Sequence, residues 1–271
     1  MFCGVKKQPL VPSPGHAIRL ADFAADYVGE MSKAAALERI VPLRARLNEL
    51  QDELYAGKKY AVLVVLQATD TGGKDGTIKS VFKEVGPLGC SVTSFGVPTP
   101  EELSHDYLWR YRMPMPARGQ LVIFNRSYYE SVLVERVRKI VPKAVWKQRY
   151  KEINALEAYL ARERTVVLKF YLHISKDEQR QRLQDRVDDP AKRWKFEMGD
   201  LDDRKHWSDY QRAFEDMINR TNTAVAPWHI VPGDHKWYRD VAVAEAIVSR
   251  LERLNMEYPE AAPGVEGLKV E

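Results

Sequence analysis

The residues best equipped for chemistry lie in one stretch, Val64-Val65-Leu66-Gln67-Ala68-Thr69-Asp70-Thr71-Gly72-Gly73-Lys74-Asp75-Gly76-Thr77. An apolar run enters a turn rich in glycine, and Lys74 sits just before a segment of helical period. This is the layout of a phosphate-binding loop. Glycines let backbone N–H groups point inward, the next helix offers its positive N-terminus, and the lysine neutralises phosphate oxygens. Gly72, Gly73, Lys74, Asp75, Gly76 and Thr77 are the expected phosphate-binding set. The match to G-x-x-x-x-G-K-[ST] is imperfect. Ala68 stands where the first glycine belongs, and Asp75 where a metal-binding hydroxyl usually follows the lysine. Thr77 is the substitute hydroxyl two residues on. Asp70, inside the loop, would repel phosphates unless a cation lay between them, which makes it a candidate Mg²⁺ ligand. The alternative is an Asx-turn residue that only shapes the loop.

A second group follows Leu121-Val122-Ile123-Phe124, where Asn125-Arg126-Ser127 emerges from the carboxyl end of an apolar run. Open α/β sheets bind ligands at that edge. Such sites usually place an aspartate at the position held here by Asn125. Arg126 has the fork geometry for gripping a phosphate. Glu130, one helical turn on, either reaches the same site or makes a simple i,i+4 ion pair with Arg126. The third group holds Arg182 and Arg186 on one helix face, Arg180 nearby, and Lys192, Arg193 and Lys195 around Trp194 after Asp189-Pro190. In kinases with a phosphate loop, bases here close as a mobile lid over the transferring phosphoryl group. The alternative is a helix laced by salt bridges to Asp185, Asp188 and Asp189.

Positioning these groups requires a sheet. Apolar runs at Tyr60–Leu66, Ser91–Phe95, Gln120–Phe124, Val166–Leu172 and His229–Val231 read as strands. Helical patterns lie at Thr77–Val85, Glu101–Arg112, Tyr129–Arg138, Lys143–Arg162, Lys176–Val187, Leu201–Thr221 and Tyr238–Leu254. Strand–helix–strand repetition implies a parallel sheet covered on both faces. Before the first strand, Lys33–Tyr55 and Leu20–Tyr27 read as helical. We expect one α/β domain over 1–271, with a helical extension at about 1–58, a lid region at about 176–212 and a loose tail at about 259–271.

The bulk composition narrows the classes. The chain has 271 residues, 45% hydrophobic and 30% charged, enough to bury a sizeable core. No run approaches the ~20 apolar residues that span a bilayer. Met1–Lys7 is followed by no apolar segment of a signal peptide. Cys3 and Cys90 form no metal or disulfide pattern, which fits a reduced, cytoplasmic compartment. His173 reads as a structural strand residue. The net charge is only +4, but eight bases crowd Arg126–Lys151 (Arg126, Arg136, Arg138, Lys139, Lys143, Lys147, Arg149, Lys151) against Glu130 and Glu135. Such an excess favours a polyanionic partner, or is a solvated helix face. No zinc-finger spacing, RNP motif or basic-zipper heptad points to nucleic acid.

Several ordered motifs together resemble the polyphosphate kinase 2 family. They are Asp70-Thr71-Gly72-Gly73-Lys74-Asp75-Gly76-Thr77-Ile78-Lys79, Phe95-Gly96-Val97-Pro98-Thr99, Asp106-Tyr107-Leu108-Trp109-Arg110, Phe124-Asn125-Arg126-Ser127-Tyr128-Tyr129-Glu130 and Lys192-Arg193-Trp194-Lys195. The resemblance runs from about Lys33 to Tyr258. It implies a P-loop kinase fold of the thymidylate-kinase-like type. The implied activity is Mg²⁺-dependent transfer of the terminal phosphoryl group of inorganic polyphosphate to AMP or ADP. By the same resemblance, Asp70, Lys74, Asn125, Arg126 and Glu130 form the catalytic set. Arg182, Arg186, Lys192 and Arg193 hold polyphosphate, and Asp70 holds the metal. Asn125 with Glu130 looks like the class III type that acts on both AMP and ADP. Adenine nucleotides are the implied partners, with guanine as the alternative, and the protein is expected to be a homo-oligomer. Phe95, Gly96, Trp109 and Arg110 are the candidate nucleotide contacts, with Trp109 available for stacking; aromatic core packing is the other reading of that segment. Two rivals stand beside this: an ATP-dependent nucleoside monophosphate kinase, and a non-catalytic polyanion-binding protein.

Overall fold

The structure is a computed structural model that describes residues 11–265 and 267–270. Cys3 and the Met1–Lys7 segment lie outside the described residues. Five strands form one sheet: β1 (Ala61–Gln67), β2 (Cys90–Ser94), β3 (Leu121–Asn125), β4 (Thr165–His173) and β5 (Trp228–Pro232). Their order is β2-β3-β1-β4-β5 and every pairing is parallel. All five expected strands are present. β1 and β4 are buried along their whole length, as strands covered on both faces must be.

The helices are α1 (Lys33–Gly57), α2 (Lys74–Val81), α3 (Pro100–Ser104), α4 (Trp109–Arg112), α5 (Val134–Val137), α6 (Lys143–Arg162), α7 (Lys176–Asp188), α8 (Met198–Lys205), α9 (Trp207–Thr221) and α10 (Lys236–Glu252). Residues of α1, α2 and α10 pack on one face of the sheet, around Val62, Val64 and Leu66. Residues of α5, α6 and α9 pack on the other, around Leu63 and Val65. Alternation along β1 therefore feeds two cores at once.

Five expected helices are shorter or broken, the one expected over Thr77–Val85 starting at Lys74 and ending at Val81. Leu20–Tyr27 contains only a 3₁₀ turn, Leu20–Asp22. Glu101–Arg112 divides into α3 and α4, because the Asp106 carboxylate accepts the Leu108 N–H and turns the chain. Tyr129–Arg138 becomes a 3₁₀ turn, Tyr128–Val132, followed by the single turn α5. Leu201–Thr221 breaks at His206 into α8 and α9. Past Tyr258, the described residues are exposed and carry no helix or strand.

Candidate active site

Parallel register brings the functional groups to one edge. Leu66 of β1 lies beside Asn125 of β3, so the loop after β1 and the turn after β3 leave the sheet together. Here the chain passes from strands on one side of β1 to strands on the other, the crevice where such sheets bind ligands. Gly73 has φ +98°, and a Cβ there would lie 2.0 Å from Arg239 Nη1. A Cβ on Gly72 would lie 2.4 Å from that of Ala68. Both positions therefore require glycine.

Lys74 opens α2 and is buried, its Nζ donating to the carbonyls of Ala68 (3.2 Å) and Thr69 (3.4 Å). Burial, then the nearby Arg126 charge, push its pKa down to about 8 against the pull of Asp70, Glu130 and Asp75. Arg126 holds a left-handed φ of +67°, unusual for a side chain of its size. Its guanidinium bridges two carboxylates, Asp70 at 2.5 Å and Glu130 at 3.4 Å. Burial opposes the ionised form of Asp70, but the charges of Arg126 and Lys74 outweigh it and hold the carboxyl below its usual range. A cleft opens here, lined by Asp70, Arg126, Glu130, Gln179, Asp203 and Tyr210 among others. Charged groups of both signs face one another in a space walled on the far side by α9. That arrangement suits alignment and charge neutralisation of a phosphorylated ligand.

The two departures from a generic phosphate loop meet each other. Asn125 Nδ2 donates to Asp75 at 2.6 Å. An aspartate at 125 would set like charges together there, so the amide and the carboxylate are read as one feature. Thr77 spends its proton on the Gly73 carbonyl (3.1 Å). The hydroxyl oxygens of Thr69 and Thr71, by contrast, are buried with no hydrogen-bond partner among the described residues. Sequence reasoning passed over both threonines, and over Gln179, Asp203 and Tyr210. Only their neighbourhood in three dimensions marks them.

The family model described as polyphosphate kinase 2 matches residues 30–259 of this chain. The chain belongs to the polyphosphate kinase 2 family. It is similar to the AMP/ADP-polyphosphate phosphotransferase of Meiothermus ruber, with 54% identity over 242 residues covering 89% of this chain and 91% of that protein. It is 44% identical over 230 residues to the ADP-polyphosphate phosphotransferase of Rhodopseudomonas palustris, covering 80% of each. The crystal structure of polyphosphate kinase 2 from Arthrobacter aurescens superposes with a TM-score of 0.91 at 39% identity, over 96% of this chain and 94% of that one. As a member of this family the protein is a phosphotransferase with a P-loop kinase fold.

The remaining expected residues of this family member spread over distinct places. Arg182 is buried behind the phosphate loop, donating to the carbonyls of Thr71 (3.1 Å) and Gly233 (2.6 Å) and pairing with Glu178 at 2.6 Å. It braces the loop rather than standing open to a polyanion. Arg186 pairs with Asp200 of α8 at 3.3 Å. Lys192 pairs with Asp189, and Arg193 donates to the Val187 carbonyl, both near the surface. The ring of Phe95 is packed in the core against Tyr111 and Phe124, so the core-packing reading holds for that side chain. Arg110 pairs with Glu102 at 3.1 Å and lies 5.4 Å from the Phe95 ring centre. Trp109 is half-buried and already stacked on His105 at 4.2 Å. Gly96 is exposed with open space around it. His173 is buried on β4 beside Tyr171.

The position of Lys74 has a consequence for proton uptake. Its folded pKa lies below that of an unfolded lysine, so burial penalises the folded state below about pH 8. That penalty fades as pH rises towards the ordinary lysine value of about 10.4. An anion placed beside Nζ restores the charge. Binding of a short polyphosphate at about pH 8.5 should therefore take up a proton at Lys74. Calorimetry in buffers of different ionisation enthalpy measures this: the apparent binding enthalpy should vary with the buffer, and the variation should vanish in Lys74→Met. A buffer-independent enthalpy in the unaltered enzyme would contradict the assignment.

Proposed function

We propose that this enzyme moves the terminal phosphoryl group of inorganic polyphosphate to AMP and ADP, giving ADP and ATP, with Mg²⁺ as its cofactor. The observation that carries the reading is Arg126 held between Asp70 and Glu130 at the cleft, with Lys74 buried under the adjoining loop within reach of their charges. Asn125 together with Glu130 supports the class acting on both nucleotides, as does the likeness to a relative named for AMP and ADP.

The residues fit Mg²⁺. This ion takes one or two carboxylates and completes its octahedron with water and substrate phosphates. Among the described residues no group of three or more His, Cys, Asp or Glu forms a protein cage. Asp70 and Glu130 would offer the carboxylates, and the unpartnered hydroxyls of Thr69 and Thr71 stand ready for phosphate oxygens or water. When bound, the metal supplies charge neutralisation across adjacent phosphates. Lys74 neutralises the oxygens on the phosphate loop. Arg126, fixed by two carboxylates, orients the phosphoryl group between donor and acceptor. No side chain is asked to become a covalent carrier, because phosphoryl transfer through a loose transition state needs alignment above all.

Arg186 near the end of α7, with Lys192, Arg193 and Trp194 beyond it, belongs to the region at about 176–212 that we assign as a lid over the cleft. The whole chain acts as one domain, with α1 and the residues before it as a packing extension. Adenine nucleotides are the first choice of acceptor and guanine nucleotides the second. A homo-oligomer in the cytoplasm completes the reading, in keeping with the unpaired thiol of Cys90. The test is an assay supplied with polyphosphate and AMP, without any nucleoside triphosphate, run with Mg²⁺ and with a chelator. ADP and then ATP should appear only with the metal. A strict need for a nucleoside triphosphate donor would instead identify an ATP-dependent monophosphate kinase.

A further inference from the structure

The eight bases between Arg126 and Lys151 sort by type. All four arginines are paired: Arg126 with Asp70 and Glu130, Arg136 with Asp216, Arg138 with Asp202 and Asp203, and Arg149 with Glu135. The four lysines, Lys139, Lys143, Lys147 and Lys151, recur every fourth residue. All are exposed, and among the described residues none of their side chains enters an ion pair or hydrogen bond. The nearest acids are engaged elsewhere, Glu152 by the Tyr107 hydroxyl at 3.0 Å and Glu135 by Arg149 at 2.6 Å. Like charges four apart on a helix disfavour it. Lys143, Lys147 and Lys151 stand on α6 and Lys139 in the turn before it, and a bound polyanion would relieve their mutual repulsion.

Topology gives the row a direction. α6 joins the carboxyl end of β3 to the start of β4, so it runs against the strands. Its first turn, with Lys143, therefore lies on the edge where Asp70 and Arg126 stand. Just before it, Leu133 and Val134 line the cleft itself. From Lys143 the row leads away from the cleft for about 12 Å to Lys151, at about 1.5 Å per residue.

We propose that Lys139, Lys143, Lys147 and Lys151 form an accessory track that binds the distal part of a long polyphosphate chain while its end reacts in the cleft. The inference rests on the proposed donor and adds where the rest of that donor lies. The ligand is a linear polyanion without bases. The aromatic ring inside the row, Trp146, is covered by the Arg136 guanidinium at 4.5 Å and offers no stacking platform of the kind that single-stranded nucleic acid uses.

The test replaces all four lysines by glutamine, which keeps helix propensity and removes the charge. Steady-state kinetics are then compared on long-chain polyphosphate and on tetrapolyphosphate, with circular dichroism confirming the fold. The KM for long chains should rise about tenfold at unchanged kcat, and the slope of log KM against log salt should flatten by about 3, about 0.7 for each lost contact. Tetrapolyphosphate should be turned over as before, and the variant with Lys→Arg at all four track positions, which keeps the charge, should behave like the unaltered enzyme. Equal effects on both chain lengths, or none on either, would overturn the track. Retention of a single-stranded oligonucleotide at the salt where long polyphosphate is retained would reassign the row to nucleic acid. If the unaltered enzyme used neither polyphosphate, the donor itself would be wrong, a result distinct from a track that fails.

Discussion

Lys74→Met should lower kcat by about 10³-fold while leaving the protein as stable as before or more so. The two effects have one cause. Lys74 is a buried cation whose Nζ contacts are two loop carbonyls at 3.2 and 3.4 Å, and burial drives its pKa down. In the absence of an anion, that charge is a cost to the fold. In the proposed reaction it becomes the preorganised countercharge of the transferring group, strongest because little water is present. Methionine fills the same space without the charge. Thermal unfolding and steady-state kinetics on one preparation check both halves. Near-normal turnover, or a large fall in the unfolding midpoint, would contradict this role.

The largest loss of stability should come from a pair that never touches substrate. Lys169 on β4 and Glu157 on α6 are both fully buried and meet at 2.7 Å. Glu157 also accepts the hydroxyls of Tyr128 (2.8 Å) and Tyr129 (2.7 Å), and Lys169 donates to the Thr221 carbonyl at 2.7 Å. These two tyrosines form the turn between Arg126 and Glu130. Lys169→Met leaves a buried carboxylate without its cation and should cost about 3–5 kcal/mol in urea unfolding. Replacing both members, by Lys169→Met with Glu157→Leu, should recover much of that loss, since a buried pair is itself weakly stabilising. The double variant should then show lower kcat than its stability explains, because the turn carrying Glu130 has lost its anchor. A single-variant loss under about 1 kcal/mol would show that the network is not what holds this turn.

How much of this was legible beforehand follows from the physics of each signal. The strands were readable because a parallel strand buried on both faces needs an unbroken apolar run, and β1 and β4 have one. α6 was readable to its end residues, Lys143 and Arg162, because its period is long and clean. The phosphate loop announced itself through glycine and lysine next to such a strand. The failures lie where local chemistry cut a helical period: the Asp106 turn, and the hydroxyls of Tyr128 and Tyr129 drawn to Glu157. Neither contact has a signature in residue spacing. The same limit applies to the arginines. Arg182 and Arg186 share a helix face in sequence, yet Arg182 braces the phosphate loop and Arg186 reaches Asp200. The mutual engagement of Asp75 and Asn125, 50 positions apart, likewise emerges only in three dimensions.

In the proposed reaction the phosphoryl group should pass from polyphosphate to the nucleotide in one step, at the cleft of Asp70 and Arg126 beside Lys74. A single turnover with enzyme in excess, ³²P-labelled polyphosphate, AMP and Mg²⁺, quenched in acid, addresses it directly. The label should pass from polyphosphate into nucleotide with none retained on the protein, and without any nucleoside triphosphate. Label held on the protein, or nucleotide left unlabelled until ATP is added, would contradict the account.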